Sequence, residues 1–229
     1  MLKECRTILE DQQRSDGPLA GKKVVVTAGP TREYLDPVRF ISNPSSGKMG
    51  FAMAEAAQQL GAEVILIHGP VTIEKPADIA TTEIAIGTSD FFEQVQNHAD
   101  ADVVIMAAAV SDFTSKEIHQ QKVKKDKADS SIQLKQTPDI LAWLGDHKKN
   151  GQVLIGFAME TENLLENAKD KLERKNADWI VANALNEDDS GFASDKNKVH
   201  LIGQNDSKQI EGLKPEVARH VLAHIFKNR

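Results

Sequence analysis

The chain is poor in several things, and each shortage closes off a class of protein. A single cysteine, Cys5, leaves no partner for an intrachain disulfide and too few thiolates for a cysteine-based zinc site. That fits a reducing compartment, and Cys5, in a polar stretch remote from the motifs below, reads as a bystander. Aromatic residues make up only 5% of the chain, so the core must be mostly aliphatic. No apolar run approaches the roughly 18 residues of a membrane span. The opening stretch, MLKECRTILEDQQRSDG, has no apolar h-region, so no signal peptide is expected. Nor is there an excess of positive charge: the formal net charge is −6, whereas nucleic-acid-binding domains are usually basic. GxxxxGK[ST] and GxGxxG are both missing, which removes the Walker A loop and the dinucleotide fingerprint. The expectation is a soluble cytoplasmic protein with neither membrane nor nucleic acid as a partner.

What is present is alternation. The 229 residues suffice for one large domain or two small ones, and 40% apolar with 27% charged residues is ordinary for a globular chain. Residues 1–20 read as a short amphipathic helix and a polar linker, Ser15-Asp16-Gly17-Pro18, ahead of a domain over 21–229. From Gly21 strand and helix signals take turns. Strands are expected at 23–26, 63–67, 80–86, 102–106, 152–156, 179–182 and 198–202. Helices are expected at 48–60, from a Thr88-Ser89-Asp90 cap to 97, at 162–175, and from Pro215 to about 226. Such alternation implies an α/β, Rossmann-like, mostly parallel sheet with helices on both faces. The lysine-rich stretch 111–136 breaks the rhythm and reads as a flap or small antiparallel excursion.

The most informative segment is the connection from Thr27 to Lys48, TAGPTREYLDPVRFISNPSSGK. Strand-to-helix turns usually run about 2–6 residues. One this long, held by three prolines and two glycines, reads as a binding surface. It opens at a strand's carboxyl end, where open α/β sheets bind ligands, and closes at a helix N-terminus, which favours anions. Ser45 or Ser46 is placed to cap that helix, Gly47 to let the backbone approach a ligand, and Lys48 to add charge; the bland alternative is an ordinary cap with a solvated lysine. Asn43, extended because it precedes Pro44, can polarise a carboxylate or carbonyl, or can simply be a turn residue. Thr31-Arg32-Glu33 offers either a guanidinium fork for phosphate or a surface ion pair.

Three further segments carry chemistry. Ala107-Ala108-Ala109 ends a buried strand and leaves backbone open to a flat ligand, with Asp112 close behind for a ribose hydroxyl or a metal. Lys122-Val123-Lys124-Lys125, with Lys127, is a strap whose Lys122 and Lys124 would share one face if extended; taken singly, a charge run is usually only solvated. Finally Thr137-Pro138-Asp139-Ile140, Gly156-Phe157-Ala158 and the pair Lys171/Lys175, four apart on one helix face, could hold a base and a polyphosphate.

Together, Thr27 to Glu33, Leu35 to Arg39, Ile41 to Asn43, Ser45 to Gly50, Ala108-Ala109-Val110 with Asp112, the KxKK run, Pro138-Asp139-Ile140, Gly156-Phe157-Ala158 and Lys171/Lys175 resemble the bacterial phosphopantothenate–cysteine ligases. The likeness runs in one consistent order from Gly21 to the C-terminus. It implies a ligase of coenzyme A synthesis that joins 4′-phosphopantothenate to L-cysteine through an acyl-cytidylate, using CTP with Mg²⁺. By position it implies that Asn43, Ala108 and Lys122 serve turnover. It assigns CTP to Gly29, Ser45, Ser46, Gly47, Lys48, Ala109, Asp112, Lys122, Thr137, Pro138, Asp139, Ile140, Phe157, Lys171 and Lys175. It also implies a homodimer whose subunits complete each other's sites, a fused or separate decarboxylase partner, and no flavin in this chain. Thr137 stands where many relatives carry asparagine, and Ser111 looks interchangeable with any small residue. The rival readings are a non-catalytic nucleotide-binding module and an NAD(P)-dependent oxidoreductase.

Overall fold

The structure, a computed structural model, describes residues 16–124, 131–160, 162–184 and 194–227. In chain order its elements are β1 (Lys23–Ala28), β2 (Arg32–Tyr34), β3 (Phe40–Ser42), α1 (Lys48–Gln59), β4 (Glu63–His68), β5 (Thr81–Ile84), α2 (Thr88–Asn97), β6 (Val103–Met106), β7 (Phe113–Ser115), β8 (Leu134–Gln136), α3 (Ile140–Asp146), β9 (Val153–Glu160), α4 (Leu164–Arg174), β10 (Trp179–Ala184), β11 (Lys196–Gly203), β12 (Ser207–Leu213) and α5 (Lys214–Phe226). Eight strands form one sheet in the order β12-β11-β10-β9-β6-β1-β4-β5. The six from β5 to β10 are parallel to their neighbours, and β11 and β12 close the far edge antiparallel. Numbered among themselves, the parallel strands run 3-2-1-4-5-6. The winding reverses between β1 and β6, and a crevice opens there beyond the carboxyl ends.

The parallel strands are apolar runs because both faces are covered. Val24, Val25 and Val26 are all fully buried yet point to opposite sides. Val24, Val26 and Ala28 pack with Met53, Ala57, Val221 and Leu222 of α1 and α5. Val25 joins Ile67, Phe91, Leu144, Ala168 and Leu172 of β4, α2, α3 and α4. Each fully buried valine contributes roughly 1.5–3 kcal/mol, so β1, central to both layers, is the least expendable strand.

Helix α1 lies unusually close to β1. A Cβ on Gly50 would sit 2.4 Å from Ala28 Cβ and 2.9 Å from the Thr27 carbonyl oxygen. Only glycine admits that approach, and it sets the α1 N-terminus directly over the crevice.

Several expectations need correction. Residues 1–15 lie outside the described residues. Leu19, placed with the linker, is 1% exposed and its N–H donates to the Leu60 carbonyl, so packing begins before residue 21. Helix α2 is capped from inside: the Asp90 carboxylate accepts the Ile86 and Gly87 N–H groups, while Thr88 turns to the buried Glu33. Gly156 does not end its strand, since β9 runs on to Glu160 beside β10. The long 27–48 connection contains an unexpected hairpin, β2 against β3, while the 111–136 excursion is antiparallel as expected, β7 against β8. Lys122, Val123 and Lys124 belong to no strand, and Lys125 and Lys127 lie outside the described residues.

Candidate functional site

Beyond the β1/β6 switch point lies a cleft of about 930 Å³. Four segments line it: Asn43 and Ser45–Gly50 from the first connection, Met106–Phe113 after β6, Gln136–Leu141 entering α3, and Phe157–Glu160 with Lys171 and Lys175 from β9 and α4. Of the expected site residues, Asn43, Ser45, Ser46, Gly47, Lys48, Ala108, Ala109, Asp112, Thr137, Pro138, Asp139, Ile140, Phe157, Lys171 and Lys175 line this one cleft. Gly29 and Lys122 do not.

The floor is pinned by threonines. Thr27 Oγ1 accepts the Ala108 N–H at 3.1 Å, Thr31 Oγ1 accepts the Ser111 N–H at 3.0 Å, and the Gly29 carbonyl accepts the Ala109 N–H at 2.8 Å. Both threonines are fully buried. The Ala108 and Ala109 N–H groups are thus engaged within the protein. Met159 of β9 lies where β6 has already ended at Met106↔Gly156, so the strand's backbone edge faces the cleft. Asn43 Nδ2 donates to the Ala109 and Val110 carbonyls at 3.1 and 3.4 Å, fastening the first connection across this floor.

Gly29 and Gly47 have positive φ angles of 76° and 81°, and a Cβ on either would press on Val71 Cγ1. Glycine is thus required at both positions by the backbone conformation and by Val71, and Gly47 also lines the cleft. Gly47 itself is the α1 N-cap, with no side-chain cap; Ser45 Oγ accepts the Gly47 N–H at 3.4 Å. Arg32 does not pair with Glu33: its guanidinium lies over Phe40, 4.7 Å from the ring centroid. Ser111 is less interchangeable than its size suggests. Its Oγ donates to the Phe113 carbonyl at 2.7 Å, and its own carbonyl accepts the Thr137 and Thr88 hydroxyls. The Thr137 hydroxyl is therefore spent inside the protein.

The α4 wall carries the charge. Lys171 Nζ donates to the Phe157 carbonyl at 2.8 Å. Burial pushes the Lys171 amine below the usual lysine range, although Glu160, Asp139 and Asp112 favour its charged form. Lys175 pairs with Asp139, whose other oxygen accepts the Ala142 N–H and caps α3. Burial raises the Asp139 carboxyl, but Lys175 and Ala142 outweigh it and hold it below the ordinary value. Asp112 stands exposed at the cleft mouth.

The opposite wall was not anticipated. Lys48 reaches Asp195 at 2.6 Å, the buried Lys214 donates to the Ser194 carbonyl at 2.5 Å, and Asn183 and Asn197, 6% and 5% exposed, also line the cleft. Burial, followed by the nearby Lys48, lowers the Lys214 amine. Of this wall the sequence signalled only Lys48.

Lys122 sits apart, exposed, on a strap tied to the first connection. The His119 N–H donates to the Leu35 carbonyl and the Val123 N–H to Asp36 Oδ2. Among the described residues no group of three histidine, cysteine or acidic side chains could hold a metal by itself. A lone carboxylate such as Asp112 suits Mg²⁺ bound mainly through substrate phosphates.

Residues 19–228 match the family described as DNA/pantothenate metabolism flavoprotein C-terminal domain. The chain belongs to this family. It is 47% identical over 198 residues to the coenzyme A biosynthesis bifunctional protein CoaBC of Bacillus subtilis (strain 168), covering 86% of this chain and 48% of that protein. It is 39% identical over 229 residues to a cysteine/cysteine sulfinic acid decarboxylase of an unknown prokaryotic organism, covering 99% of this chain and 64% of that protein. The chain thus spans about half to two thirds of these relatives. A crystal structure of the C-terminal domain of a CoaBC protein superposes with a TM-score of 0.76 at 43% identity, over 93% of this chain and 97% of that one. Within the described residues, no helix is long and apolar enough to cross a membrane.

Proposed function

We propose that this chain is a cytoplasmic, CTP-dependent ligase that joins 4′-phosphopantothenate to L-cysteine in coenzyme A biosynthesis. The observation that carries this reading is the convergence of residues from 43 to 175 on one cleft with a cationic α4 wall, a small-residue floor and a helix N-terminus. The likeness to the coenzyme A biosynthesis bifunctional protein of Bacillus supports the pathway, and the likeness to a C-terminal CoaBC domain supports the matching half.

A carboxylate is a poor electrophile and must be activated. In the proposed reaction a phosphopantothenate carboxylate oxygen bonds to the α-phosphorus of CTP as the bond to the β-phosphate oxygen breaks, giving an acyl-cytidylate and pyrophosphate. The cysteine amine then bonds to the acyl carbon, loses a proton, and CMP leaves. Negative charge crowds in the first step, so the work is positioning and electrostatics. Lys171 and Lys175 hold the phosphates, and Phe157 flanks the base. Asn43 has its Nδ2 committed to the floor, so Oδ1 is the atom left to orient the amine. Mg²⁺, held by Asp112 and the phosphates, would neutralise charge. Lys122 would reach a cleft from the strap, its own or that of a second copy. A homodimer is supported by the exposed apolar side chains Val38, Phe40, Phe113, Ile118, Ile132 and Leu134, gathered on and beside the two small hairpins.

The test supplies CTP, phosphopantothenate and cysteine and follows pyrophosphate, CMP and CO₂. Pyrophosphate that depends on phosphopantothenate, and CMP that depends on cysteine, are expected. CO₂ release without CTP would give the chain the activity named for its decarboxylase relative instead. Lys122→Gln should lose about 10²–10³ in the first step.

A further inference from the structure

One group that the cleft does not use is the most tightly bonded carboxylate described. Asp36 is 1% exposed in a surface connection, and a buried carboxylate there needs a reason. Its Oδ1 accepts the Val38 and Arg39 N–H groups, both at 2.9 Å. Its Oδ2 accepts Arg39 Nε at 3.0 Å and Nη2 at 2.5 Å, and also the Val123 N–H at 3.2 Å. Arg39 Nη2 then donates to the Val123 carbonyl, also at 3.2 Å. Both backbone groups of Val123, the residue after Lys122, are therefore gripped by one ion pair 84 to 87 positions earlier in the chain. The same connection continues through β3 to Asn43.

We infer that Asp36, with Arg39, is a positioning residue: a clip that fixes the lysine strap at Val123 and so sets where Lys122 can act. This rests on the proposed ligase reading only for the role of Lys122; the clip itself is geometry. The Arg39 guanidinium, beside three backbone donors, holds the Asp36 carboxyl well below the usual carboxylate range, so the clip stays charged throughout the physiological range. Charge-assisted bonds are worth more than neutral ones, and a strap tied at one backbone residue keeps its lysine within a narrow arc at little entropic cost.

The test is a double-mutant cycle on the full chain. Asp36→Asn keeps the shape and removes the charge; Arg39→Lys keeps the charge and removes the fork at the more exposed end. Each should lower kcat on the order of tenfold with little change in the KM for CTP. In a Lys122→Gln background each should cost less than twofold more, because a clip acts only through the lysine it places. Amide hydrogen exchange over residues 118–124 should quicken in both variants, without nucleotide, while exchange in β1 and β6 stays unchanged. Equal losses in both backgrounds, or unchanged kcat and unchanged exchange, overturn the clip. If Asp36→Asn folds poorly, Arg39→Lys decides alone. If the wild-type chain releases no pyrophosphate from CTP, the ligase reading fails, and the exchange rates still decide whether the strap is anchored here.

Discussion

Replacing Lys171 with methionine separates what the cleft costs from what it does. Methionine matches the length of the lysine stem and removes the ammonium. In the free protein two terms oppose each other. The Phe157 carbonyl loses its 2.8 Å donor, which costs about 1–3 kcal/mol if it is left unpaired. Against that, an ammonium held in a desolvated position is removed. The sign follows from linkage. Burial lowers the folded pKa of Lys171 below its unfolded value, so the unfolded chain binds the proton more tightly. The stability tied to this group is thus fully present only above the unfolded pKa, and it is lost as pH falls through the folded pKa. Near pH 7 the charged lysine is a liability to the fold. The two terms should cancel to within about 1 kcal/mol, or roughly 2–4 °C in Tm for a chain of this size.

Binding should respond very differently. A unit charge 4 Å from a phosphate oxygen contributes up to about 4 kcal/mol at an effective dielectric near 20. Allowing for the residual attraction of Lys175, affinity for CTP should fall about 100-fold. Calorimetric titration with CTP and Mg²⁺, beside thermal melts of both proteins, reads both quantities. A Tm drop of 8 °C or more would make Lys171 a structural clamp on β9. An unchanged CTP affinity would remove the α4 wall from the nucleotide site.

Three other perturbations have defined outcomes. Gly50→Ala drives a Cβ into Ala28 and the Thr27 carbonyl; unfolding in urea should show a loss of about 1–3 kcal/mol, and CTP affinity should fall as α1 is pushed off the crevice. Asn43→Asp turns the donor facing the Ala109 and Val110 carbonyls into an acceptor; rapid quench should show cytidylate still forming while amide formation slows. Asp36, Asp100, Asp102 and Asp139 all have lowered pKa values, so their stabilising contribution is present above about pH 4 and lost as pH falls through the folded values. Tm should therefore hold from pH 7 to about 5 and drop steeply below 4. Asp102→Asn, which breaks the tie to the Lys23 N–H and Lys22 Nζ, should flatten part of that drop.

The sheet was legible because its strands are buried on both faces and so appear as uninterrupted runs such as KVVVT. Four helices were legible, α1 for instance from Met49, Met53 and Ala56 recurring on one face, whereas the seven-residue α3 and the edge strand β12 were not expected. The antiparallel excursion at 111–136 was legible as a break in the rhythm and is β7 against β8; the β2/β3 hairpin was not, since Arg32–Tyr34 is three residues long and no local pattern reveals its partner. Cleft residues were legible where they follow a parallel strand's end, as with Ala108 after β6; Phe157 was read as lying past a strand end but sits within β9, which runs on to Glu160. Asp36 and Arg39 were quoted only as part of a resemblance, since an acid and a base three apart look like any surface pair until Val123 arrives from 84 residues away. Lys214 and Asn183 were missed because a lysine opening a helix and an asparagine closing a strand are ordinary in sequence, and only burial marks them. Lys122 shows the converse. Its charge attracted attention, but charge says nothing about where a strap is tied.

The placement of the two polar walls follows from the sheet itself. Val153, Ile155 and Phe157 of β9 face the α1/α5 layer, and Leu154 and Ala158 face the α2/α3/α4 layer. Gly156 lets Leu141 of α3 come within 2.8 Å of where its Cβ would be. Helix α3 therefore lies close against one face of the strand, and the Phe157 ring closes the other. A ligand resting on the β6 and β9 ends must straddle the sheet edge, meeting Lys171 and Lys175 on one side and the α1 N-terminus on the other. Three consecutive alanines line the cleft at this crest, between the two walls. In the proposed ligase reaction this crest would be where the reactants meet. Each reactant can be held by its own wall while the reacting atoms meet over backbone that the buried Thr27 and Thr31 keep fixed.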